Sequence, residues 1–178
     1  DFTKSPFVAA FFALESATEE VCVYALNTPD LWNLAPGFDP TLTRHQIDPR
    51  IPGNFERYFA RNTLPVLWFG EPSQMDMRLA AQSGLFVVPG VLDQPLEAIL
   101  DHYGGSDELL VRFVLDPAMR GEALRALYRM NVTHATLFPD LDGLARSLGY
   151  ELEAVWDRLV EDYERGQSAR TRDDPTHT

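Results

Sequence analysis

The sequence predicts an α+β fold, with a mixed central sheet flanked by helices and incomplete at its amino-terminal end. Three observations point that way. Short runs rich in β-branched and aromatic residues, at 20–27, 64–69, 85–88 and 108–115, have the length of strands. Between and after them lie stretches with helical apolar spacing. The two kinds alternate at irregular intervals, which favours α+β over a regular doubly wound sheet.

The elements follow in chain order. Ser5 and Pro6 supply an N-cap and a first helical residue for the apolar run Phe7 to Leu14. That helix is apolar almost all round and is expected to be buried on every side. A domain rarely opens on such a helix, so the chain, whose first residue is Asp1, is expected to be a truncated form. The 20–27 run is nearly continuously apolar, as in a central strand covered on both faces. Cys22 within it reads as a buried structural thiol. A lone cysteine forms no internal disulfide and suits a reducing compartment.

Residues 28–63 are punctuated by five prolines and carry Trp32, Phe38, Phe55, Tyr58 and Phe59. An ordered binding loop with aromatic anchors and a disordered surface insertion both fit this pattern, with one helical turn at 30–34. Ser73 is the expected cap of a short helix reaching Gln82, with Asp76 in its first turn. Gly84 then lets the backbone swing into the next strand. A helix over 95–103 ends at Gly104-Gly105. Asp116-Pro117 opens another, which runs to Met130 with Met119, Ala123, Leu127 and Met130 inward.

Thr133 to Phe138 reads as extended. A helix follows to Leu148, with Asp140 and Asp142 near its positive end and Gly149 as its cap. Glu151 to Arg165 has an amphipathic helical pattern, and the polar remainder reads as a tail. The resulting layout is an α+β domain over 1–150, a carboxy-terminal helix over 151–166 and a disordered tail over 167–178.

A formal charge of −12 and a pI of about 4.6 disfavour nucleic acid as a partner, while leaving room for a local basic cleft. No apolar run approaches the roughly 18 residues of a membrane span, and no signal peptide is visible. The expected setting is cytoplasmic, with a small molecule or a protein as the partner.

The four histidines, His45, His102, His134 and His177, are not spaced as metal-ligand pairs. No nucleophile elbow, P-loop or dinucleotide glycine pattern occurs. Asp140-Leu141-Asp142-Gly143 lacks the further oxygen ligands of a calcium loop. The sequence requires no cofactor. Its most informative stretch runs from Arg78 to Phe86. Arg78 and Gln82, four apart, share a helical face. Arginine can clamp an anion through two N–H groups, and glutamine offers both a donor and an acceptor. From spacing alone, an arginine bridged to an acid, with the glutamine capping the strand, is the favoured reading.

Three blocks in order carry a family resemblance. Asp1-Phe2-Thr3-Lys4-Ser5-Pro6 with Ala10, Phe12 and Ala13 is the first. Arg78, Gln82, Gly84 and Phe86 form an R-x-x-x-Q-x-G-x-F block, and Leu137 to Gly143 forms the third. Together they resemble FRG-domain proteins, whose name-giving block would lie upstream of Asp1. The resemblance implies an α+β domain of bacterial origin, distantly similar to ADP-ribosyltransferases. It implies an NAD-using toxin or phage-defence effector, with Thr3 and Ser5 lining the nicotinamide-ribose pocket. Arg78 and Gln82 would take the catalytic positions, with Gly84 and Phe86 beside the bound NAD. Gln82 stands where a glutamate is usual, and a neutral amide is no carboxylate base. The alternative is a non-catalytic sensor that binds a nucleotide or peptide in the same cleft. A third class, a hydrolase or nuclease, would need a metal held by clustered carboxylates.

Overall fold

The structure, a computed structural model, describes residues 2–152 together with Val160 and Tyr163. The fold is α+β, and all strand pairings in its two small sheets are antiparallel. The chain divides into two compact units, one ending at Val132 and the other beginning at Thr133. No helix among the described residues is long and apolar enough to cross a membrane.

The first unit opens with β1 (Phe2–Thr3) and α1 (Pro6–Leu14). Ser5 caps α1 by accepting from the Val8 N–H at 3.4 Å. The helix is not buried on every side. Val8, Phe11 and Leu14 form its buried stripe, while Phe7 is 52% exposed and Phe12 also faces outward. Hydrophobicity all round a helix permits complete burial, but here only one stripe is fully buried. Arg120 closes the far end, donating to the carbonyls of Leu14 and Glu15.

β2 (Val21–Leu26) pairs only with the later strand β5, from Val21↔Leu115 to Leu26↔Leu110. It is therefore half of a two-stranded ribbon rather than a doubly covered central strand. Tyr24 and, across the ribbon, Val111, Phe113 and Val114 are exposed. Cys22 is correspondingly only half-buried, and its sulfur accepts from Arg112 Nε at 3.0 Å.

α2 (Thr28–Leu31) follows, capped by Asn27, two residues earlier than the turn expected at 30–34. The loop beyond it is ordered. It ends in a π-helical turn (Phe55–Phe59) and buries Leu42, Ile47, Tyr58 and Phe59 against Val66 and Trp68.

β3 (Leu67–Gly70) comes next, then α3 (Met77–Ala81), whose cap is Asp76 rather than Ser73. β4 (Gly84–Pro89) pairs with β1 on one side and β3 on the other, giving the sheet order β1-β4-β3. α4 (Leu96–Leu100) continues as a 3-10 turn to Tyr103 and stops at Gly104, whose φ of +119° suits glycine. α5 (Ser106–Leu109) runs directly into β5 (Leu110–Leu115).

A 3-10 turn at Pro117–Met119 precedes α6 (Arg120–Arg129). Leu124 and Leu127 are its buried residues, and Met119 and Met130 are exposed. Leu127 is buried as the periodicity predicts, whereas Met119 lies in the 3-10 turn and Met130 just beyond α6, so neither keeps the α-helical register of that face.

In the second unit, α7 (His134–Leu137) replaces the extended stretch expected there. Thr133 and Thr136 form a reciprocal capping box that outweighs the β preference of threonine. α8 (Leu141–Tyr150) is capped by Asp140, which accepts from the Gly143 N–H at 2.8 Å. Gly149 lies inside α8 rather than ending it. Most of the amphipathic pattern beyond Glu151, and the tail, lie outside the described residues.

β3 places its side chains alternately into two clusters, as a period of two requires. Leu67 and Phe69 join Leu31, Ile99, Leu100, Tyr103 and Leu109, while Val66 and Trp68 join the loop cluster. The buried Leu67 N–H donates to Tyr103 Oη at 2.8 Å, and burial pushes the Tyr103 hydroxyl pKa up to about 12. Removing that hydroxyl orphans a buried N–H. Tyr103→Phe is expected to lower unfolding stability by about 1–3 kcal/mol in urea titrations; an unchanged midpoint would show that the edge finds another acceptor.

Candidate functional site

The two sequence blocks around residues 3 and 82 meet at one corner. β1 pairs with the start of β4, Phe2 against Leu85 and Thr3 against Gly84. Thr3 Oγ1 donates to the Gln82 carbonyl at 2.7 Å and accepts from the Ser5 N–H at 3.1 Å. The Lys4 N–H donates to the Ser83 carbonyl at 3.0 Å. Four of the predicted site residues, Thr3, Ser5, Gln82 and Gly84, therefore share this corner.

Their local roles are well defined. Gln82 is the carboxy-terminal cap of α3, its N–H donating to the Arg78 carbonyl at 3.0 Å. The chain reverses at Ser83, which adopts a left-handed φ of 49°. Gly84 does not provide the swing. It is buried, and a Cβ there would overlap the Leu79 side chain. Phe86 lies two residues further along β4, opposite Gly70 of β3. Arg78 is exposed on α3. The hydroxyls of Thr3 and Ser5 are both engaged in holding the corner and the start of α1.

A recess lies in the loop after α2. It is a cleft of about 420 Å³ lined by Trp32, Asn33, Thr43, Arg44 and His45. A helical turn over 43–47 builds one wall. Thr43 Oγ1 accepts from the Gln46 N–H, and the Ile47 N–H donates to the Thr43 carbonyl. Asn54 Nδ2 ties down the Gln46 and Asp48 carbonyls. Ile47 is wholly buried, so the turn is anchored from below.

Arg44 dominates the cleft. Its Nε donates to the Phe69 carbonyl at 2.8 Å. Its guanidinium lies 4.0 Å from the Trp32 ring centroid, 4.8 Å from Phe69 and 5.5 Å from Trp68. Such cation–π contacts orient the group without neutralising it. Nε is its only nitrogen with a hydrogen-bond acceptor among the described residues. Burial, then the neighbouring Arg50 charge, lower the Arg44 pKa, and Asp48 partly offsets this. Arginine nevertheless stays protonated in proteins. The result is an oriented, under-compensated cation with its Nη edge uncommitted. Trp32 is 53% exposed beside it, offering a flat apolar surface.

Arg50 is different. Its Nε and Nη2 both bond Asp48, the Arg50 N–H donates to Asp48 Oδ1, and Nη1 reaches the Glu71 carbonyl. Its guanidinium packs 5.2 Å from the Trp68 ring centroid, and Lys4 pairs with Glu71 nearby. Trp68 is thus flanked by two guanidinium groups, and its buried Nε1–H has no acceptor among the described residues.

No family model, curated protein or solved structure matches the chain. The chemistry must then be read from the side chains. The cleft lining holds one fixed cation, one exposed indole and the polar groups of Asn33, Thr43 and His45, with no carboxylate among the described residues. That set can bind a flat anion but offers no carboxylate base. No group of three or more His, Cys, Asp or Glu suited to a metal ion occurs among the described residues.

Of these residues, sequence reasoning picked out Trp32 as an anchor and missed Arg44. The available signal was an arginine inside an aromatic-rich loop, but its partners, Trp68 and Phe69, lie more than twenty residues away.

Gly70 makes the arrangement possible. A Cβ there would lie 2.7 Å from Trp68 Cζ2 and 2.9 Å from Arg44 Nη2. Gly70→Ala should therefore cost about 1–3 kcal/mol through overpacking and change Trp fluorescence, and a variant matching wild type in both would refute the tight fit.

The Arg50 hydrogen bonds hold the Asp48 carboxyl below the usual aspartate range. A depressed folded pKa contributes stability that is present above the unfolded value of about 4 and disappears as pH falls through the folded value. Asp48→Asn should be less stable than wild type at neutral pH, with the gap narrowing below about pH 4. A constant gap across acid titration would remove Asp48 as the source.

Proposed function

We propose that this chain is a binding module of FRG type that holds a nucleotide in the Trp32–Arg44 cleft without turning it over. One observation carries the proposal: a guanidinium fixed by Phe69 and an aromatic surround, with its Nη edge free of protein acceptors among the described residues. Guanidinium edges of this kind match phosphate and carboxylate oxygens bidentately. An exposed indole next to the cation suits a nucleobase or nicotinamide ring. The cytoplasmic setting belongs to the same proposal.

The ADP-ribosyltransferase-like alternative draws support from the meeting of the Thr3–Ser5 and Gln82–Gly84 blocks on adjacent strands. Several features count against its chemistry. Both hydroxyls have structural partners, Arg78 is exposed, and Gln82 supplies an amide where proton abstraction needs a base. The binding module is therefore preferred, with NAD as a candidate ligand rather than a substrate.

Calorimetric titration with NAD separates the two. Wild type and Arg78→Ala should bind alike. Arg44→Ala should bind at least about tenfold more weakly, the loss expected when a charge-assisted pair is removed. Nicotinamide release, followed chromatographically, should stay at the buffer level. Release that depends on Gln82 would establish the transferase instead, and binding that survives Arg44→Ala would move the site elsewhere.

A further inference from the structure

Resting on that binding reading, we infer that the cleft grips one mononucleotide unit: a single phosphate on the Arg44 Nη edge and a single ring against Trp32.

Three observations set this size. The cleft of about 420 Å³ lies near the lower end of the roughly 300–1,000 Å³ typical of small-molecule sites. One guanidinium edge is available, enough for one oxyanion group held by two N–H donors. The second nearby guanidinium, Arg50, is closed by its bonds to Asp48 and Glu71, so the cleft lining among the described residues offers no matching partner for a second phosphate. One exposed aromatic side chain lines the cleft besides the His45 imidazole, which leaves stacking surface for one ring system.

The remaining lining fits the middle of such a ligand. The Asn33 amide and Thr43 hydroxyl supply donors and acceptors for ribose hydroxyls or a base edge. Affinity then comes from two separate parts of the ligand, the charge and the ring. Each should fail when offered alone. A dinucleotide would engage through one half, with its other half gaining no comparable partner in this cleft.

The test is calorimetric titration of the full chain with the four nucleoside monophosphates, adenosine, inorganic phosphate and NAD, repeated on Arg44→Ala and Trp32→Ala. At least one monophosphate should bind, with adenosine and inorganic phosphate each weaker by about tenfold or more. Trp32→Ala should weaken the monophosphate by a larger factor than inorganic phosphate, which a general loss of folding would not do. NAD should bind no more than about threefold tighter than the best monophosphate. Adenosine matching AMP, or NAD exceeding every monophosphate by tenfold, would overturn the single-unit site yet leave nucleotide binding intact. Silence of NAD and all monophosphates alike would overturn the binding reading itself.

Discussion

The free edge of β3 is the constraint on which the first unit is organised. β3 has only four residues, and β4 covers one side of it. The other side turns the Leu67 N–H and the Phe69 C=O outward, away from the ladder. Unpaired backbone groups of this kind are costly when buried and invite foreign strands when exposed. Two side chains satisfy them: the Tyr103 hydroxyl takes the N–H, and Arg44 Nε serves the carbonyl. Pro89, which has no N–H to offer the ladder, stands opposite Leu67, a position that turns its own N–H away from β4. Each fixture ties down a different part of the chain. Tyr103 brings in the segment after α4, and Arg44 brings in the loop after α2.

That second tie explains why a proline-rich loop is ordered and why its cleft is preorganised. Local bonds set its turns, with Asp39 accepting from the Thr41 N–H and hydroxyl and Asp48 from Arg50. Leu42 and Ile47 bury beneath it. Arg44 is then fixed from two directions, by its own backbone turn and by β3. The ordering of this long side chain is met during folding, so a ligand need not supply it on binding. The same group that seals a strand edge is the one presented to the cleft. In the proposed site, structural and binding roles use different nitrogens of one guanidinium.

Local signals carried most of the fold into the sequence. Ser5-Pro6, Asp116-Pro117 and Gly104 mark boundaries that the structure keeps, because caps and left-handed turns depend on adjacent residues alone. The α+β class follows from the same periodicities. What was illegible depends on partners distant in sequence. The apolar run of β2 is compatible with a central strand, yet its single neighbour β5 lies some ninety residues on. Thr133-His134-Ala135-Thr136 looks extended residue by residue, and only the reciprocal bonding of its two threonines winds it into a turn. On α6 the predicted Leu127 is buried, and the two misses, Met119 and Met130, lie outside the α-helical winding that the periodicity assumed. At the site, the Thr3 and Gln82 blocks were legible as motifs, although motif spacing does not say that the Thr3 hydroxyl bonds a backbone carbonyl. Arg44 was invisible because its aromatic surround is assembled from β3 and α2.

Net charge decides what size of anion such a cleft can hold. A chain of charge −12 repels an extended polyanion at every point outside a local basic patch. Screening limits that repulsion to about 8–10 Å at ordinary salt. A ligand that fits within this distance of Arg44 feels chiefly the nearby charges. Among these, Arg50 and Asp48 form a closed pair, and no carboxylate lines the cleft among the described residues. A polymer reaching beyond this distance would meet the net negative charge of the chain and lose by repulsion part of what it gained at Arg44. A compact anion ends before the unfavourable field begins. The acidity that disfavours a polyanion is therefore compatible with the single nucleotide proposed for this cleft, and the difference between them is length rather than chemistry.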